Sequence, residues 1–232
     1  MQFNTKISDD RDGVHAVYGK AVTALMQEAT FTEVIFLLFK GVLPTQGERR
    51  LLDTMLVAAA EHGVEAPSLY VPRVSVASGN SVHVAMAAGI LAIGEVHGGA
   101  GEAAANLLAR PEGAEDIVAE YLTAGKRLPG FGHKVYRAED PRAKIIYEQA
   151  KKTALPLKAF EKAYAIENML ATQKGTTFPL NIDGAFAAGI LALGLPPTAA
   201  KALFVVARVA GMGAHAMEEA AQSCGYKRLT DE

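Results

Sequence analysis

The chain has 232 residues, 50% of them apolar and 21% charged, which excludes intrinsic disorder and fits one globular unit or two fused lobes. Its 23 basic and 25 acidic residues give a net charge of -2, so no global basic field draws in nucleic acid or anionic lipid, and any anion site is local. The lone Cys224 excludes an internal disulfide and multi-cysteine zinc sites, while 7% aromatics without tryptophan favours small-residue helices packed on helices.

In chain order, the start MQFNTKISDD lacks a basic segment followed by an apolar run. Apolar stretches such as Val82 to Gly94 fall short of the roughly 20 residues that span a bilayer, so a soluble, cytoplasmic protein is expected. The predicted fold class is all-α, with nine or ten helices and almost no strand. Thr32 to Lys40 reads as a very apolar helix stopped by Gly41, and Thr45-Gln46-Gly47-Glu48 as a capping box for a helix to about His62, closed by Gly63. Leu69 to Ala77 alternates weakly and carries Pro72, which demotes it as a strand. Asn80 or Ser81 opens a helix ending at Gly94, Gly113 to Ala124 forms another, and Asp140-Pro141 supplies an N-cap and first-turn proline for a helix to about Thr153. Leu157 to Gln173 and Thr198 to Gln222 follow. The octad Ala87 to Gly94 recurs almost unchanged as Ala187 to Gly194, but the flanks differ, which makes these two similar core helices and not a repeat.

Three glycine-flanked segments carry candidate chemistry: Glu95-Val96-His97-Gly98-Gly99-Ala100-Gly101, Pro129-Gly130-Phe131-Gly132-His133-Lys134 and Pro179-Leu180-Asn181-Ile182-Asp183-Gly184. Each places a titratable group where a loop meets a helix, with free backbone N–H groups and room for a ligand beside the main chain. Singly, a His beside Gly is more often a cap and an Asp before Gly a turn. Together, one group can move a carbon-bound proton while two donors stabilise oxyanions. Lys126, Arg127, Lys134, Arg137, Arg142 and Lys144 form a local basic excess that suits phosphates or carboxylates, or else a solvated helix face. Arg208, inside the apolar run Leu203 to Gly213, needs an anionic partner from protein or substrate.

Rival motifs fare poorly. Gly99-Ala100-Gly101-Glu102-Ala103-Ala104 matches the dinucleotide fingerprint but no βαβ alternation surrounds it. Gly13 to Lys20 misses the P-loop spacing, no G-x-S-x-G exists, and the six histidines show no H-E-x-x-H pairing, so no metal is expected.

The segments FTEVIFLLFKGVLP, AAEHG, AAGILAIGEVHGGA, LPGFGHKVYRAEDPRA, LNIDGAFAAGILALG and ARVAGMGAHAMEE, in this order, resemble the citrate synthase superfamily, which includes citryl-CoA lyases and a domain of ATP citrate lyase. The stretch from Glu95 to about Leu180, which holds most of the glycine and basic punctuation, reads as a smaller helical lobe (residues 95–180) set against a large helical core (residues 1–94 and 181–232), with approximate bounds. By the resemblance, His97 binds the acetyl-CoA enol oxygen, His133 polarises the oxaloacetate carbonyl and takes the hydroxyl proton in cleavage, and Asp183 is the general base. His62, Arg142 and Arg208 would bind substrate carboxylates, although Glu61 stands where Asp is common. Arg137, Lys134, Gly130 and Gly132 would meet coenzyme A, and Arg228 would complete the partner's site in a homodimer or higher homo-oligomer. His15, His83 and His215 match no catalytic position and are expected to be structural. The implied activity is cleavage of citryl-CoA to acetyl-CoA and oxaloacetate, since length and the ARVAGMGAHAMEE ending look closer to stand-alone lyases. The alternatives are a citrate synthase, which also hydrolyses the thioester, and a non-catalytic acyl-CoA-binding subunit. A binding subunit has no need of the acid–base set.

Overall fold

Several helix starts follow the capping chemistry written in the sequence, whereas Ser81, where a cap was expected, forms no side-chain cap. In the computed structural model, which describes residues 4–11, 13–222 and 225, Thr30 and Glu33 form a capping box for α2 (Phe31–Lys40), and Thr45 and Glu48 form one for α3 (Gln46–Ala60). Two further helices open on a proline in the first turn: α4 (Pro67–Ala77) on Pro67 and α8 (Pro141–Lys151) on Pro141. The remaining helices are α1 (Val22–Glu28), α5 (Val82–Leu91), α6 (Ala100–Ala109), α7 (Ala114–Thr123), α9 (Lys158–Lys174), α10 (Ile182–Ala192) and α11 (Ala199–Gln222). The fold is therefore mostly helical, and none of these helices is long and apolar enough to cross a membrane.

Two local expectations are corrected. Leu69 to Ala77 is helical and not a demoted strand: Leu69 and Pro72 are buried where α4 packs on α5 and α11, and that packing decides the conformation over the weak alternation. Short strands do exist near the start, where β1 (Ser8–Arg11), β2 (Val14–Val17) and β3 (Lys20–Ala21) form an antiparallel sheet in that order. Tyr18 and Gly19 both adopt positive φ, 46° and 75°, which is the tight turn that joins β2 to β3.

The core centres on α10, whose residues Gly184 to Ile190 are all buried against α3, α6, α8 and α9. The two copies of the repeated octad do the same packing work in different places. A Cβ on Gly189 would lie 2.5 Å from Met55 Sδ of α3, and one on Gly89 would lie 2.6 Å from Pro72 Cγ of α4. Glycine at each position is what allows two helices to cross so closely.

Candidate active site

Because α4 begins after Ala66, which has no capping side chain, the N–H of Ser68 in its first turn is free. It donates to His97 Nε2 at 3.3 Å, and the Ser68 hydroxyl lies 2.8 Å from the same nitrogen. Arg208 Nη1 donates to that hydroxyl at 3.2 Å, so the hydroxyl's own proton points to His97. His97 therefore accepts at Nε2 and carries its proton on Nδ1. Burial, and then the charge of Arg208, hold His97 below the ordinary histidine range, which keeps the ring neutral.

Arg208 is 2% exposed and gives its hydrogen bonds to uncharged groups. Its Nε donates to the Ala59 carbonyl at 2.7 Å and its guanidinium lies 4.8 Å from the centre of the Phe204 ring. Among the described residues no carboxylate pairs with it within 4.0 Å; burial opposes its charge, and Glu61 and Asp183 favour it from farther off.

A second cluster centres on Arg142. Asp140, 1% exposed, accepts from Arg142 Nε at 3.0 Å and Nη2 at 2.8 Å, and also from the Ile182 backbone N–H at 3.1 Å. Arg142 Nη1 then meets His62 Nδ1 at 2.9 Å and Nη2 meets His133 Nε2 at 3.2 Å. His133 Nδ1 already accepts the N–H groups of Val135 and Tyr136, each at 3.1 Å. With Nδ1 accepting, the ring proton sits on Nε2, and that N–H faces an arginine N–H, donor against donor. An oxygen placed between the two would satisfy both. The surrounding protein, and then Arg142, Arg208 and His133, hold His62 below its usual range, leaving it a neutral acceptor for Arg142 at Nδ1 and a donor at Nε2.

Asp183 sits in the first turn of α10, where Asn181 caps the helix by accepting from the N–H groups of Asp183 and Gly184. Asn181 Nδ2 also donates to the Gly132 carbonyl at 2.9 Å, and Phe131 pairs with Leu180 in an antiparallel bridge. The His133 loop is thereby stitched to the Asp183 helix. That contact needs glycine on both sides, since a Cβ on Gly130 would lie 2.7 Å from Gly184 Cα and one on Gly184 would lie 2.5 Å from the Gly130 carbonyl oxygen. Among the described residues the Asp183 carboxylate accepts no hydrogen bond. Burial pushes its pKa up, against the opposing pull of Arg142 and Arg208.

His62, His97, Asp183 and Arg208 line one cavity of about 150 Å³, with His133 and Arg142 joined to its rim through His62. Of the expected coenzyme A contacts, Lys134 and Arg137 are exposed and have no acidic partner among the described residues, while Gly130 and Gly132 form the stitched loop. Arg228 and Cys224 lie outside the described residues. Sequence reasoning missed the parts played by Ser68 and Asp140, which with Arg208 and Glu219 are the buried polar side chains among the described residues. Pro67 was the available signal for Ser68, because a proline in the first turn marks a helix start with free N–H groups.

The profile of the family described as "Citrate synthase, C-terminal domain" matches residues 46–228. "Putative citrate synthase 2" of Mycobacterium tuberculosis is 34% identical over 177 residues, which is 72% of this chain and 47% of that protein. The chain spans about half the length of the curated relatives it matches. Among solved structures, citryl-CoA lyase from Hydrogenobacter thermophilus superposes with a TM-score of 0.94 at 33% identity, covering 99% of this chain and 91% of that one. Citrate synthase from Thermoplasma acidophilum, in a ternary complex with carboxymethyl coenzyme A and oxaloacetate, superposes with a TM-score of 0.73 at 28% identity, covering 87% and 56%. On this profile match and this identity, the chain belongs to the citrate synthase family.

Proposed function

We propose that the chain makes and breaks a carbon–carbon bond beside a thioester, and that its reaction is cleavage of citryl-CoA to acetyl-CoA and oxaloacetate. The observation that carries this is the arrangement around the cavity: the Asp183 carboxylate, which among the described residues accepts no hydrogen bond, lines it with His97, while His133 is joined to its rim through Arg142 and His62, and His97 and His133 each have a tautomer fixed with one N–H. Condensation and cleavage share one transition state, so the roles are stated once for condensation. Asp183 removes a methyl proton from acetyl-CoA, its burial making the carboxylate a stronger base. His97 donates from Nδ1 to the forming enolate oxygen, and a neutral donor suffices there. His133 donates from Nε2 to the oxaloacetate carbonyl as it becomes an alkoxide. Since Nδ1 of His133 is held by two N–H groups, we assign it this donor role in both directions and let solvent take the hydroxyl proton in cleavage. Arg142, Arg208 and His62 hold the carboxylates in register.

Coenzyme A enters as part of substrate and product, and Arg137, Lys134, Gly130 and Gly132 are assigned to it. The lyase direction is supported by the likeness to the H. thermophilus citryl-CoA lyase over nearly the whole of both chains. The second reading, a citrate synthase that hydrolyses the thioester, is supported by the names of the curated relatives. The test is to supply citryl-CoA and, separately, acetyl-CoA with oxaloacetate while following oxaloacetate and free thiol. Oxaloacetate release without free thiol is the expected result. Thiol release with citrate formation would move the assignment to the synthase, and silence in both assays would leave a binding subunit.

A further inference from the structure

One face of α11 closes the end of α3. Arg208 donates to the Ala59 carbonyl, a Cβ on Gly211 would overlap the Ala60 carbonyl, and His215 Nε2 lies 3.1 Å from Glu61 Oε1. These three residues recur at helical spacing, so a single stripe of α11 meets the last residues of α3 one after another. Glu61 is the C-cap of α3, and a carboxylate at the negative end of a helix is disfavoured unless something holds it there. Two donors do so at the same oxygen, the Gly63 N–H at 2.8 Å and the His215 ring. The residue between Glu61 and Gly63 is His62, whose Nδ1 meets Arg142 at 2.9 Å.

We propose that His215 is a positioning residue: by holding the Glu61 carboxylate against α11 it fixes the direction in which His62 presents its ring to Arg142. The Gly63 bond holds Glu61 ionised, so the proton in the contact resides on His215 Nε2. The other charged groups around His215 are Glu218, 3.9 Å from Nδ1, and Arg73, which pairs with Glu218 and Glu219. That His62 serves a dicarboxylate rests on the function proposed above; that His215 orients it does not.

The test compares His215→Leu, which removes the donor, with His215→Gln, which keeps an N–H at similar reach, by NMR titration of the His62 ring. In His215→Leu the His62 pKa is expected to rise as the ring leaves Arg142, and in His215→Gln it is expected to stay at the wild-type value. The apparent KM for oxaloacetate should rise about tenfold in the Leu variant and return in the Gln variant, with the KM for acetyl-CoA unchanged. Glu61→Ala alters a side chain that is 56% exposed, so it keeps the fold should the Leu variant lose it, and it must give the same His62 shift. An unchanged His62 titration in folded His215→Leu or Glu61→Ala overturns the proposal. A wild-type protein that turns over none of the substrates overturns the functional reading instead, and the titration still decides the role of His215.

Discussion

Asp140 joins the two halves of the site through one buried carboxylate, which holds the Arg142 guanidinium and the first N–H of the helix carrying Asp183. Burial raises its pKa, but the Arg142 hydrogen bonds and the Ile182 N–H outweigh that, and the carboxyl ends below its ordinary range. Its stabilising contribution is therefore present above about pH 3.9 and lost as the pH falls through the folded pKa. Asp140→Ala should cost about 3–5 kcal/mol at neutral pH by leaving Arg142 without its partner, measured by denaturant unfolding. The acid side of the stability profile should flatten in the same variant. Of the residues around the site, His97 and Asp183 were legible because each is followed by glycine beside a helix start, and His133 because Gly130 and Gly132 precede it, although it lies within the loop ahead of α8 and not where that loop meets the helix. Ser68 was not, because its role depends on which side chains the fold brings to a free N–H, and a serine among Leu69 and Val71 carries no pattern of its own.

Among the elements, α3 and α8 were legible through their caps, α5, α7 and α9 through punctuation and apolar spacing without a side-chain cap, and α4 was not, because packing decides it. Thr45-Gln46-Gly47-Glu48 is read correctly because the box closes within one turn. The helix α4 is missed because its proline and alternation argue locally against helix, while α5 and α11 supply the opposing contacts from far along the chain. The three short strands are missed because they hold few apolar residues to alternate. The stitch between the His133 loop and α10 gives a direct test of element placement. Gly184→Ala forces a Cβ to 2.5 Å from the Gly130 carbonyl oxygen and Leu180 Cδ1, so the loop must shift. The expected outcome is a loss of about 1–3 kcal/mol in stability with a larger fall in kcat than in substrate affinity, read by thermal unfolding and steady-state kinetics.

Across the whole molecule, the two copies of the octad differ in surroundings. Helix α10 is enclosed, whereas α5, equally apolar, leaves Val84, Ile90 and Leu91 exposed, Leu91 at 86%. A helix apolar on all sides calls for a cover, and we propose a second copy of this chain, in line with the homodimer that the family resemblance implies. Wild-type protein should sediment as a dimer and Leu91→Glu as a monomer; a wild-type monomer would remove the proposal. We likewise propose the division into residues 1–94 with 181–232 and residues 95–180, with α10 at the junction, because α10 contacts both α3 and the helices α6, α8 and α9. In the proposed reaction Asp183 moves the carbon-bound proton while His97 and His133 donate to the two oxygens. Because its pKa is raised in the folded state, ionising it costs stability as the pH rises above about 3.9, so Asp183→Asn should melt higher at neutral pH. The decisive measurement is the single-turnover rate of citryl-CoA cleavage by that variant. The rate should fall roughly 10²–10⁴-fold with citryl-CoA binding retained, and a folded Asp183→Asn protein cleaving at the wild-type rate would remove Asp183 as the base.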